Sequence, residues 1–170
     1  MNYQIINSFI NKLDPELAHS LAIQFLKNLY IPLFPSKDEG ILKINVLGNE
    51  FLNPIGLAAG FDKNAEVYDK MFALGFGFAE VGTITPNPQE GNSKPRVFRL
   101  IEDKAIINRL GFPNQGLVKI KSRIETKKTA GILGINVGPN KDSASRIDDY
   151  VECFKNFHNL CSYILSLIHI

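Results

Sequence analysis

The sequence predicts an α/β protein built on a parallel sheet. Three observations carry this reading. From Leu42 onward, short apolar strands alternate with amphipathic helices, the order that covers a parallel sheet with helical crossovers. The strand over Ile55 to Gly60 is an apolar run of the kind buried on both faces. Small residues recur at the strand ends, in Ala59-Gly60, Val81-Gly82-Thr83 and Asn136-Val137-Gly138. Ligands bind at that edge both in open doubly wound sheets and in closed β/α barrels, so the pattern leaves both architectures open. No strand leads into a G-x-G-x-x-G turn, which counts against a dinucleotide site.

The chain has 170 residues, is 45% hydrophobic and carries a formal net charge of +2. That is enough for one domain with a core, and too little positive charge to make nucleic acid its main partner. No apolar run approaches the roughly 18 residues of a spanning helix. The N-terminus lacks the pattern of a signal peptide. Cys153 and Cys161 match no metal or redox spacing, so reduced thiols in a cytosolic compartment and no metal are expected.

Residues 2–33 read as a pair of amphipathic helices. Ile5, Ile6, Phe9, Ile10 and Leu13 form the first stripe; Leu17, Leu21 and Phe25, with Ala18, Ala22 and Leu26, form the second. Asp14 caps the second helix, Pro15 opens it, and Pro32 and Pro35 end it. With few basic residues on their polar faces, these helices favour apolar contact over electrostatic attachment. A hairpin turns at Leu47-Gly48-Asn49, where it could plug the bottom of a barrel. After the opening strand come a helix over 65–74, with Val67, Met71 and Leu74 on one face, and a strand over 78–83. A proline-rich excursion follows, then an exposed hairpin strand over 96–101. A helix over 115–128 turns Leu117, Ile120 and Ile124 inward; a strand over 131–137, a helix over 148–159 and a strand from Cys161 complete the order. A full barrel needs roughly 250 residues, and the strand–helix units here amount to about half of one.

Several long motifs now stand together: Ala58-Ala59-Gly60-Phe61-Asp62-Lys63, Glu80-Val81-Gly82-Thr83-Ile84-Thr85-Pro86, and Lys94-Pro95-Arg96-Val97-Phe98-Arg99-Leu100. Ile107-Asn108-Arg109-Leu110-Gly111-Phe112 and Gly134-Ile135-Asn136-Val137-Gly138 follow in order. The series resembles the dihydroorotate dehydrogenases of class 2, the quinone-dependent, FMN-containing branch. Leu13-Asp14-Pro15-Glu16-Leu17-Ala18-His19 resembles the N-terminal extension that marks that class.

The resemblance implies a TIM (β/α)8 barrel, of which the chain holds about the first four strand–helix units. It implies a helical extension over 1–40, for the quinone tunnel and membrane association, and the first half of the FMN-binding barrel over 41–164. By the same resemblance Ala59, Gly60, Phe61, Asp62, Lys63, Thr83 and Asn136 contact FMN. Lys63 also meets dihydroorotate, together with Asn108, Arg109, Leu110, Gly111 and Phe112. His19 and Arg99 line the tunnel for ubiquinone or menaquinone. The implied activity is oxidation of dihydroorotate to orotate in pyrimidine synthesis, by a peripheral enzyme on the cytoplasmic face of a bacterial membrane. The residues themselves agree: small side chains at 59 and 60 let a cofactor reach the backbone, and Lys63 offers charge to an anion.

The family's serine base is expected in a motif just after Ile164, and no catalytic base is expected earlier. Residues 165–170 fit nothing in the family and read as one frame of a transposon-end adapter, hence a non-native tail. On that reading Ser166 and His169 are no nucleophile–base pair, and the 170 residues alone are expected neither to hold FMN tightly nor to turn over substrate. Other readings are another FMN barrel, of the dihydropyrimidine or dihydrouridine reductase type, and a non-enzymatic half-barrel binding module. The helix pair and the Asn108–Phe112 loop argue against the reductases.

Overall fold

The structure, a computed structural model, describes residues 10, 12–30, 40–127 and 131–166. The first N-terminal helix expected from the sequence, and Pro32 and Pro35, fall outside these residues, Ile10, Lys12 and Leu13 excepted. The second helix, α1 (Pro15–Asn28), starts where the sequence puts it. The Asp14 carboxylate accepts from the N–H groups of Glu16 at 3.0 Å and Leu17 at 2.9 Å, which satisfies donors the first turn cannot. Its orientation is less legible. Ile23 is buried, whereas Leu17, Leu21 and Phe25 point outward, at 50%, 52% and 64% exposed.

Strands β1 (Ile44–Val46) and β2 (Asn49–Phe51) form the expected antiparallel hairpin. Next come β3 (Gly56–Asp62), α2 (Tyr68–Ala73) and β4 (Phe78–Ile84). The second hairpin pairs β5 (Val97–Leu100) with β6 (Ala105–Asn108). The chain continues through α3 (Leu117–Thr126), β7 (Ile132–Val137), α4 (Arg146–Phe157) and β8 (Tyr163–Ser166). Strands β3, β4, β7 and β8 make one four-stranded parallel sheet in that order. The first hairpin sits at the N-terminal ends of the strands, where Phe51 meets Phe78 edge-on at 5.4 Å.

The core lies between the sheet and its helices. Ala79, Val81, Leu133, Ile135 and Val137 face Met71, Leu117, Ile120, Ile124, Cys153 and Phe157, all at most 5% exposed. This is the alternation of a sheet with one face under helices. Cys153 and Cys161 are free, and burial pushes the Cys153 thiol up to about 12.

Two expectations need correcting. The helix expected over 65–74 begins only at Tyr68, because the Asp62 side chain takes the N–H groups of Glu66 and Val67 and Ala65 turns at φ 54°. Leu74 caps its end and is exposed rather than inward. Strand β3 is not buried on both faces: it is an edge of the described sheet, and Ala58 and Gly60 are exposed. Strand β8 also runs past Ile164, with Leu165 opposite Asn136 and Ser166 opposite Val137.

Replacing Ile120, at 0% exposed, by alanine should lower unfolding free energy by about 2–5 kcal/mol in urea titrations. A loss no larger than that of the exposed-site control Val118→Ala would contradict the packing of α3.

Candidate functional site

The site forms where β3 ends. Asp62 is 1% exposed, and its carboxylate accepts from the N–H groups of Glu66 and Val67 at 2.7 Å each. These bonds close the turn that carries Lys63 and Asn64. Asn64 is pinned in turn, its side chain accepting from Gln115 N–H at 3.0 Å and its carbonyl from Arg123 at 2.8 Å. Lys63 takes part in none of the ion pairs among the described residues. Burial pushes its ammonium below the usual range, while the charge of Glu16 acts against that.

Helix α1 walls the other side of Lys63. A cleft of about 560 Å³ lies between them, lined also by Phe61, Asp62, Asn108 and Leu110. The wall is held by polar contacts. Arg96 forks onto the Glu16 carboxylate through Nε and Nη2, while its Nη1 donates to the carbonyls of Glu90 at 2.7 Å and Asn92 at 2.8 Å. Lys94 joins the same carboxylate at 2.9 Å. Bidentate, charge-assisted bonds of this kind are among the stronger polar contacts. The Arg96 guanidinium, above all, brings the Glu16 carboxyl from its usual 4.5 to about 2.

His19 lines the cleft with its ring edge-on to Phe61. Its Nε2 lies 2.6 Å from the Phe61 carbonyl. A carbonyl only accepts, so Nε2 carries the proton and donates. Burial, then the charge of Lys63, holds the imidazole below its usual range. Arg99, on β5, donates to the Leu13 carbonyl at 2.6 Å and does not line the cleft.

The Asn108–Phe112 loop straddles two cavities. Asn108 and Leu110 face the first; Gly111 and Phe112 face a second, of about 440 Å³, with Asn140, Lys141 and Tyr150. Phe112 and Gly111 hold φ of 52° and 70°, and Asn108 accepts from Leu110 N–H at 3.4 Å. The Arg109 side chain points away, onto the Pro95 carbonyl at 3.0 Å. Gln89, Asn114 and Asn140, none singled out from the sequence, tie the loop down. Gln89 donates to the Gly111 carbonyl at 2.9 Å and accepts from Lys141 N–H at 2.9 Å. Asn140 and Asn114 both donate to the hydroxyl of Thr85, which is 0% exposed.

Asn136 and Thr83 stand at the ends of β7 and β4, away from the first cleft, at 6% and 9% exposed. Among the described residues the Asn136 Oδ1 is the buried side-chain atom without a hydrogen-bond partner. Such an acceptor costs free energy unless a donor reaches it. Gly60 turns at φ 107°, and a Cβ there would meet nothing within 4 Å. Small, open backbone at 59–60 and an unmet acceptor at 136 fit a flat, polar-edged group lying across the strand ends. No cluster of three or more metal-ligating side chains occurs among the described residues.

The family model for dihydroorotate dehydrogenase matches residues 41–167. This chain belongs to the dihydroorotate dehydrogenase family. Membership implies a flavin cofactor in general. The chain is 53% identical over 152 residues to dihydroorotate dehydrogenase (quinone) of Rhodopseudomonas palustris strain TIE-1, covering 89% of this chain and 42% of that one. It is 47% identical over 156 residues to the protein of the same name from Rhizobium rhizogenes, covering 92% and 43%. Among solved structures, Eimeria tenella dihydroorotate dehydrogenase in complex with ferulenol superimposes with a TM-score of 0.83 at 43% identity, covering 90% of this chain and 43% of that one. The chain thus spans less than half the length of these relatives. The parallel sheet is part of a TIM-barrel type fold.

Because Glu16 has a lowered folded-state pKa, its stabilisation is complete above 4.5 and is lost as pH falls toward 2. Unfolding free energy should therefore drop more steeply over that window in wild type than in Glu16→Gln. Parallel curves would remove Glu16 as the source.

Proposed function

We propose that the complete gene product oxidises (S)-dihydroorotate to orotate in UMP synthesis, with FMN as hydride acceptor and a quinone, ubiquinone or menaquinone, as final acceptor. The observation that carries this is the placement of Lys63. It is half-buried, outside every described ion pair, and faces a cleft shared with Asn108. FMN, when bound, supplies the hydride-accepting ring. The backbone of Ala59 and Gly60, with Phe61, Asp62, Lys63, Thr83 and Asn136, would hold it.

The Lys63 ammonium attracts the substrate carboxylate, and a desolvated cation does so more strongly than one in water. Asn108 and Leu110, which face the same cleft, supply an amide and an apolar wall to the ring, and Gly111 and Phe112 continue the loop toward the second cavity. Arg109 supports them from behind through Pro95. Oxidation removes a hydride and a proton from adjacent carbons; the proton goes to the serine base that the family's pattern puts after Ile164. His19 donates to Phe61 and so fixes the cofactor-side end of β3 to α1, beside which the quinone enters. Arg99 anchors the start of the same wall.

Peripheral attachment to the cytoplasmic face of a bacterial membrane is part of this reading. The outward Leu17, Leu21 and Phe25 stripe supports it. No described helix is long and apolar enough to cross a membrane.

Purified complete gene product should reduce a soluble quinone when given dihydroorotate. Lys63→Ala should lower kcat/KM by roughly 10²-fold or more. Full activity in that variant, or a wild type that uses other dihydropyrimidines but not dihydroorotate, would sink the proposal.

A further inference from the structure

The sheet face opposite α2, α3 and α4 carries a polar row below the strand ends. Glu80 on β4 stands beside Gly134 on β7, and Gly134 beside Tyr163 on β8. The Tyr163 ring passes over Gly134, where a Cβ would lie 2.5 Å from it. Only glycine leaves that crossing open. The Tyr163 hydroxyl then donates to Glu80 Oε1 at 3.0 Å. The other oxygen, Oε2, accepts from Ala59 N–H at 3.1 Å.

That second bond falls where the ladder slips. Leu57 pairs with Ala79, but Asp62 pairs with Val81, so residues 58–61 bulge opposite Glu80 alone. Bulged residues leave the regular ladder, and their amides need another acceptor. The Glu80 side chain supplies one. Burial, and then the charge of Glu80, pushes the Tyr163 phenol up, so the hydroxyl stays a donor through the working pH range.

We propose that Glu80 is a positioning residue: its carboxylate, tied to Tyr163, props the β3 bulge so that the Ala59–Gly60 backbone meets the flavin. This rests on the flavin reading above. A carboxylate turned into the interior of a barrel is costly unless its oxygens are met, and here each oxygen has a donor. It also fixes a negative charge beneath the cofactor, which opposes the charge gained on reduction.

The test uses the complete gene product as wild type, Glu80→Gln, Glu80→Ala and Tyr163→Phe. Hydrogen exchange at the Ala59 amide should quicken roughly fivefold in Tyr163→Phe and Glu80→Gln, the factor for about one hydrogen bond, and more in Glu80→Ala. FMN should bind more weakly in the same order. The flavin midpoint potential should shift positive in both Glu80 variants, a change that loss of packing alone would not give. If Glu80→Ala does not fold, Tyr163→Phe, which keeps the carboxylate, carries the exchange and affinity arms. Unchanged exchange at Ala59 overturns the proposal, and so does faster exchange with FMN affinity and potential unchanged. A wild type that binds no FMN, while Ala59 exchange still answers to Glu80→Gln, overturns the flavin reading and upholds the prop.

Discussion

The fork between Arg96 and Glu16 is the contact on which the site's shape depends. It joins residues 80 positions apart. One guanidinium gathers a helix, through Glu16, and a loop, through the carbonyls of Glu90 and Asn92. Without it α1 would keep Ile23 as its buried apolar contact and a few polar ties. The cleft facing Lys63 exists because that fork holds α1 against the second hairpin, where Arg99 adds its bond to Leu13. The sheet, by contrast, stands on apolar contacts between strands and helices that need no such tie.

This division explains what could be read from residues alone. The helix-facing positions Leu117, Ile120 and Ile124 follow a 3.6-residue period, and all three are buried. The hairpin at Gly48 follows its turn chemistry. Both are local signals. The start of α2 is not legible in the sequence because the acceptor that holds the turn before it, Asp62, sits in the preceding strand rather than beside the helix. The outward turn of Leu17, Leu21 and Phe25 could not be read either: periodicity shows that a stripe exists, not which way it faces.

The candidate site was legible at Lys63 and the small strand ends, where the chemistry is carried by single residue types in short motifs. It was not legible at Gln89, Asn114, Asn140 or Glu80. Each acts by reaching a backbone group or hydroxyl far along the chain, as Gln89 does at Gly111 and Glu80 at Ala59. A polar residue between Ala79 and Val81 was the available clue to Glu80, since alternation in a half-covered strand turns it away from the helices.

A cleft wall fastened by charge and a sheet fastened by apolar burial answer to different conditions. Acid and concentrated salt weaken the first; the second responds to temperature through the heat capacity of exposed apolar surface. Among the described residues, the sheet and the cleft wall therefore depend on different conditions. The cleft beside Lys63 is thus adjustable by its ionic surroundings, while the strand ends keep the geometry set by apolar packing.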